Sequence, residues 1–214
     1  MRRSVLSVHL LGYAPTGSVV AAPTTSLPER IGGDHNWDYR FAWVRDASLS
    51  LAVLAMLGDT EMEWRYMDWL AALGSATDAP RQVMYGLRGE TDLAPRESLD
   101  LEGYRGSRPV RFGNRAYDQR QLDSFGYYND CSLIYLQQGG RWREDYWDLT
   151  RRIAEHVAAT WHEPDNGIWE LPTRRHYVSS KVIDSSCPRG RNCEATHRRP
   201  GTRSRSWVFP GQAR

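Results

Sequence analysis

Apolar residues recur at helical spacing over parts of this chain and give way elsewhere to long polar stretches. Small and aliphatic residues run together from Ala47 to Leu57, opened by Asp46 and closed by Gly58. That pattern predicts an apolar helix with an acid in its first turn and a glycine stop. In Glu61–Leu73 the residues Met62, Tyr66, Trp69, Leu70 and Leu73 fall on one face, the period of an amphipathic helix. Thr60 precedes it with Glu63 three residues on, the arrangement of a capping box. Arg3–Leu11 reads as the end of a helix stopped by Gly12 and Pro15, and Asn114–Gln138 and Tyr146–Trp161 read as two more. Between these lie a Pro-, Gly- and Thr-rich loop over 16–33 and an irregular stretch over 78–112. A structureless segment of about 35 residues inside a compact domain is generally functional. Strand-like alternation is nowhere sustained, so the body is helical with long loops.

Patterning ends near residue 183. Residues 183–214 hold seven Arg, two Cys and three Pro with no helical or strand period. Lys181 is the sole lysine, a skew typical of a GC-rich coding sequence, and such genes yield Arg, Pro, Ser, Gly and Cys when read out of frame. The expectation is a body over 1–182 and an anomalous tail over 183–214, frameshifted or disordered and basic. Cys187, Cys193 and His197 are three potential zinc ligands at irregular spacing, which is weak support for a metal site; no metal or cofactor is expected.

Composition narrows the function classes. With 28 basic and 26 acidic residues, the chain lacks the charge to favour a nucleic-acid or anionic-membrane partner, and no run approaches the ~20 apolar residues of a membrane span. Three cysteines in 214 residues give no disulfide framework and point to a reduced, cytoplasmic setting. Met1-Arg2-Arg3 followed by Val5-Leu6 has the outline of a secretion signal, but Ser7 and His9 interrupt its short apolar run.

Residues Asn36 to Asp46 place four aromatics, three Asp or Asn acceptors and two Arg in eleven positions. Aromatic faces stack on the apolar faces of sugar rings, and charged forks bind hydroxyls. An aromatic core patch with surface ion pairs has the same composition, and the residues alone leave both readings open.

Three ordered blocks point further: Ala14-Pro15-Thr16-Gly17 with Ala21 to Glu29, Gly32-Gly33 and Asn36 to Asp46; Tyr85-Gly86 with Gly103 to Asn114; and Pro164 to Glu170 with Ser180-Lys181-Val182. Together they resemble glycoside hydrolase family 15, which includes glucoamylases, glucodextranases and some bacterial trehalases. The resemblance implies an all-α fold, a partial (α/α)6 barrel or toroid with long functional loops, of which about the first half of the helices is present. It implies release of glucose from the non-reducing end of an α-glucoside, an α-glucan or trehalose, with inversion. Two carboxyls ~6.5–9.5 Å apart do this chemistry. Glu170 matches the general acid, with its pKa raised by the adjoining Trp169 and any neighbouring carboxylate. Arg45 and Asp46 match the pair that holds the non-reducing glucose, although Asp46 also suits the start of a helix. Trp43 and Trp169 match pocket walls, and Arg108 and Arg111 the loop lining it; Arg111 equally suits a tie to Asp123 or Asp130. Asp165 either tunes Glu170 or ends the preceding helix.

The family's general base, a Glu from the second half of the barrel, has no counterpart here, since Glu194 lies in the anomalous tail. The resemblance also implies that Met1 falls inside the first barrel helix, so the N-terminal β-sandwich of bacterial relatives is not expected within this sequence. Half a barrel exposes faces built for burial and favours self-association. Two other readings stand beside the hydrolase: a catalytically inactive, truncated carbohydrate-binding remnant, and an α/α-barrel phosphorylase, which would need an anion site.

Overall fold

A computed structural model describes residues 2–76 and 82–186. Its six helices are α1 (Arg2–Leu10), α2 (Val44–Met56), α3 (Glu61–Ala76), α4 (Asp123–Gln137), α5 (Glu144–Thr160) and α6 (Val178–Ser186). Helices α2 and α3, and α4 and α5, follow one another as hairpins. α2 packs chiefly on α4, α3 lies against α5, and α6 docks on α4. One hydrophobic core joins the two hairpins: Leu51 and Leu54 of α2, Tyr66, Met67 and Leu70 of α3, Phe125, Tyr128 and Cys131 of α4, and Tyr146, Leu149, Ile153 and Val157 of α5. The face forecast for α3 is the one that packs, with Tyr66, Trp69 and Leu70 buried and Met62 and Leu73 half-buried against them.

The long loops hold three antiparallel strand pairs: β1 (Thr25–Pro28) with β2 (Asn36–Asp38), β3 (Ala42–Trp43) with β4 (Met84–Tyr85), and β5 (Arg96–Ser98) with β6 (Val110–Phe112). Strands of two to four residues are too short to carry a visible alternation, and the chain remains helix-rich. Among the described residues, no helix is long and apolar enough to cross a membrane.

Helix boundaries differ from the sequence reading for local reasons. α2 begins at Val44, three residues ahead of Ala47, because the extended backbone of Trp43 (φ −80°, ψ 131°) turns straight from β3 into the helix. Arg45 and Asp46 therefore sit in its first turn. α4 begins at Asp123 and not at Asn114. The Asn114 side chain accepts from the Ala116 N–H and caps a single 3-10 turn over Arg115–Asp118, after which Gln119 is extended. α6 runs through position 182 as far as Ser186, and its Ile183 presses so closely on α4 that a Cβ on Gly126 would lie 2.4 Å from the isoleucine Cγ2. Cys187, Cys193, Glu194 and His197 lie outside the described residues.

The capping box at α3 does not form. Asp59 Oδ1 accepts from the Glu61 N–H at 3.3 Å, while Glu63 is wholly buried and accepts from the Cys131 thiol at 3.0 Å. Burial pushes the Glu63 carboxyl up to about 7, against the bond from Cys131, which favours the charged form. A carboxyl whose folded pKa is raised holds its proton longer in the fold than in the unfolded chain. Stability is therefore highest below the ordinary value of 4.5 and falls as pH rises through about 7. A shift of that size corresponds to roughly 3 kcal/mol. Glu63→Gln is expected to raise the urea midpoint at pH 8 and leave it nearly unchanged at pH 4.5. Equal shifts at both pH values would rule out charge burial as the cause.

Candidate active site

The aromatic run divides its residues between scaffold and site. Asp38 is fully buried and accepts a fork from Arg40 (Nε to Oδ1 2.9 Å, Nη2 to Oδ2 2.8 Å) and the Gly113 N–H at 3.1 Å. Asn114 Nδ2 donates to the Asp38 carbonyl, and Asn36 Nδ2 to the carbonyl of Pro109. These bonds pin the 36–40 segment to the loop that carries β6; Tyr39 lines the opening, Trp43 and Arg45 are buried, and Asp46 is half-exposed.

Glu170 arrives from the other end of the chain. The loop after α5 turns at Gly167 (φ 67°), where a Cβ would meet the Tyr177 ring at 2.7 Å. Glu170 itself is left-handed (φ 54°), a conformation that a residue with a side chain keeps only when its surroundings enforce it. The turn is closed by the bond from the Glu170 N–H to the Gly167 carbonyl at 3.1 Å. Its carboxylate Oε1 accepts from Trp43 Nε1 at 2.9 Å and from Arg45 Nη2 at 3.0 Å. Trp43 is buried and Arg45 is 7% exposed, so a charged pair sits at the edge of the core with an indole donor beside it. Such charge-assisted bonds are stronger than neutral ones.

Arg45 is the electrostatic centre. Its Nη1 donates to Gln121 Oε1 at 2.6 Å, and its guanidinium lies 3.6 Å from Asp46 and 3.9 Å from Asp123. Asp46 is half-exposed, its carboxyl pushed up by desolvation, lowered by Arg45 and raised again by the charge on Glu170. Asp123 is buried beneath the site. Desolvation pushes it up to about 6, with Arg45 opposing and the neighbouring Asp165 adding to the rise. Asp165 is fully buried, accepts from the Leu122 N–H at 3.2 Å and pairs its backbone with Arg175. It does not end α5, which stops at Thr160; it anchors the start of α4 and acts on Asp123.

The opening is a cleft of about 950 Å³ whose walls include Trp37, Tyr39, Arg111, Gln119, Trp169 and Glu170. The sequence model of Glycosyl hydrolases family 15 matches residues 1–190. The chain belongs to that family. Relatives include a trehalase of Mycolicibacterium smegmatis, 40% identical over 187 residues, which cover 86% of this chain and 28% of that protein. A trehalase of Thermoplasma volcanium is 40% identical over 186 residues, covering 85% and 29%. The chain thus spans under a third of the length of these relatives. Solved glycosidase structures, one of them a variant in complex with glucose, superpose with a TM-score of 0.62 at 17% identity over 91% of this chain and 52% of theirs, which is a likeness of fold.

Within this family 15 chain, the forecast residues Trp43, Arg45, Asp46 and Glu170 come together. Trp169 stands on the rim, 80% exposed, so the indole against the Glu170 carboxylate is that of Trp43 rather than Trp169. Arg108 does not reach the cleft. It is exposed and its Nε donates at 3.4 Å to the Glu102 carbonyl. Arg111 lines the wall in its place. It is paired to Glu97 at 3.2 Å, donates to the Asp34 carbonyl and lies over the Trp37 ring at 4.9 Å, not against Asp123 or Asp130. Three residues of the site were not singled out. Tyr39, 6.0 Å from the Trp43 ring, has its phenol pushed up by burial and by Glu170; it could have been read from its place in the aromatic run. Gln119 and Gln121 carry no sequence signal of their own.

Proposed function

We propose that this chain forms the acid-bearing part of a family 15 α-glucosidase that hydrolyses trehalose with inversion at the anomeric carbon. Glu170 is the general acid that protonates the leaving oxygen. Arg45 and Asp46 fix hydroxyls of the non-reducing glucose, and Trp43 and Trp169 wall its ring. The observation that carries the reading is the Glu170 carboxylate held by Trp43 and Arg45 at the edge of an aromatic cleft. The trehalases at about 40% identity favour trehalose over α-1,4-glucan as the first substrate to test. In the complete enzyme α2, α4 and α6 form inner staves of an (α/α)6 barrel, with α3 and α5 outside them. The exposed Leu49, Val53 and Met56 of α2 meet the remaining helices there, or another copy where those are lacking.

Inversion needs a second carboxylate to activate water. The two glutamates on the cleft wall besides Glu170 are already engaged: Glu29 accepts from Trp37 and contacts His35, and Glu97 pairs with Arg111. As the family resemblance implies, the base is expected from sequence that the longer relatives have beyond the matched part. This arrangement also favours a second reading, a chain that by itself binds sugar and does not turn it over. Trehalose and maltose are to be incubated in phosphate-free buffer, with the glucose anomers followed by proton NMR, using the 214-residue chain and a chain extended to its relatives' length. From trehalose the extended chain is expected to release equal amounts of β-glucose, from the residue that water attacks, and α-glucose, from the residue that leaves, and the short chain to release none. Initial release of α-glucose alone refutes inversion, and dependence on phosphate turns the assignment to a phosphorylase.

A further inference from the structure

A chain of side-chain amides joins the two ends of the Glu170 residue. Arg45 Nη1 donates to Gln121 Oε1 at 2.6 Å, Gln121 Nε2 donates to Gln119 Oε1 at 2.9 Å, and Gln119 Nε2 donates to the Glu170 carbonyl at 3.0 Å. Arg45 Nη2 returns to the Glu170 carboxylate at 3.0 Å. The result is a closed ring in which every amide has only one workable orientation. A guanidinium can only donate, so Gln121 must turn its oxygen to Arg45 and its NH2 to Gln119. Gln119 must then present its own NH2 onward, and a backbone carbonyl, which can only accept, ends the series.

The ring closes on a residue that needs it. Glu170 has a side chain in left-handed backbone, and such a conformation persists only where its surroundings over-determine it. Its carboxylate and its carbonyl are both tied back to Arg45, one directly and one through two glutamines. Gln121 is fully buried and Gln119 half-buried on the cleft wall. We infer that Gln119 and Gln121 are positioning residues, a latch that fixes the peptide and carboxylate of Glu170 in the orientation set by Arg45. This rests on the reading of Glu170 as the proton donor only for its bearing on the reaction; the latch itself is a matter of conformation.

The test follows the Trp43 indole N–H, whose acceptor is the carboxylate that the latch holds. In the 15N-labelled 214-residue chain, with the resonance identified by Trp43→Phe, its exchange with solvent is measured. Gln119→Leu and Gln119→Glu both remove the donor to the Glu170 carbonyl, the second with no change of size. Each is expected to speed Trp43 Nε1–H exchange about tenfold, as loss of one hydrogen bond allows, while amides inside α5 keep their rates. Gln121→Glu still accepts from Arg45 but cannot donate to Gln119, and is expected to have the same effect. Unchanged Trp43 exchange in the folded Gln119 variants overturns the latch, and an effect of Gln119 without one of Gln121 overturns the ring. In a chain that releases glucose, Gln119→Leu should lower kcat with KM unchanged; an equal kcat would refute the link to catalysis. An extended chain that releases no glucose, while the 214-residue chain loosens as described, refutes the assigned reaction and leaves the latch standing.

Discussion

Glu170→Gln is expected to slow glucose release from trehalose by about 10²–10⁴-fold, the range that a positioned proton donor supplies, in a chain that also carries the second carboxylate. Glutamine keeps an oxygen that accepts from Trp43 Nε1 and Arg45 Nη2, the two bonds that Glu170 makes at 2.9 and 3.0 Å. Folding and sugar affinity should therefore be retained, and the loss should fall on kcat. The leaving group provides a sharper check. An alkoxide needs a proton before it departs, whereas fluoride leaves without one. The same variant should thus hydrolyse α-glucosyl fluoride at close to the parent rate. An equal loss on both substrates would show that Glu170 holds the sugar and does not donate a proton. No loss on either would remove it from the mechanism.

Arg45→Met is expected to cost the fold itself about 3–5 kcal/mol at neutral pH, the penalty for removing one partner of a buried ion pair. Methionine fills much of the same volume, so the loss is electrostatic. Gln121 loses its donor, and Asp123 and Glu170 lose the cation that faces them at 3.9 and 3.0 Å. The dependence on pH follows from Asp123, which already stands at about 6 through burial and the charge of Asp165. Without the opposing Arg45 it rises further. A raised carboxyl costs nothing while it is protonated and costs most once it must ionise. The difference between variant and parent should be small at pH 5 and approach its full size above pH 7, as urea denaturation at the two pH values would show. A penalty independent of pH would mean that shape, not charge, is what Arg45 contributes. Where Glu170→Gln tests the chemistry and spares the fold, Arg45→Met removes both.

The helical faces and the candidate acid were legible in the sequence, the first from spacing and the second from resemblance. Tyr66, Trp69 and Leu70 were placed correctly because a 3.6-residue period depends only on neighbours along the chain. The start of α4 was misplaced because Asn114 looks like any other polar residue ahead of an apolar run. Its capping of one 3-10 turn is visible only in the backbone that follows. Glu63 had the spacing of a capping box, but Cys131, 68 residues away, draws it into the core. Arg108 and Arg111 sit in one short block, and only the pairing of β5 with β6 and the stack on Trp37 decide that Arg111 faces the cleft.

The sequence by itself determined most of the helical segments, though not α6 (Val178–Ser186) or the start of α4, that the chain is a family 15 chain, and which residue types its site could draw on. Tertiary structure decided which of them meet. Arg45 and Glu170 are separated by 125 residues, and Trp43 and Glu170 by 127. Hydrogen-bonding partners so far apart are chosen by how the α2–α4 packing brings the two ends of the chain together, and no local period or composition records that choice.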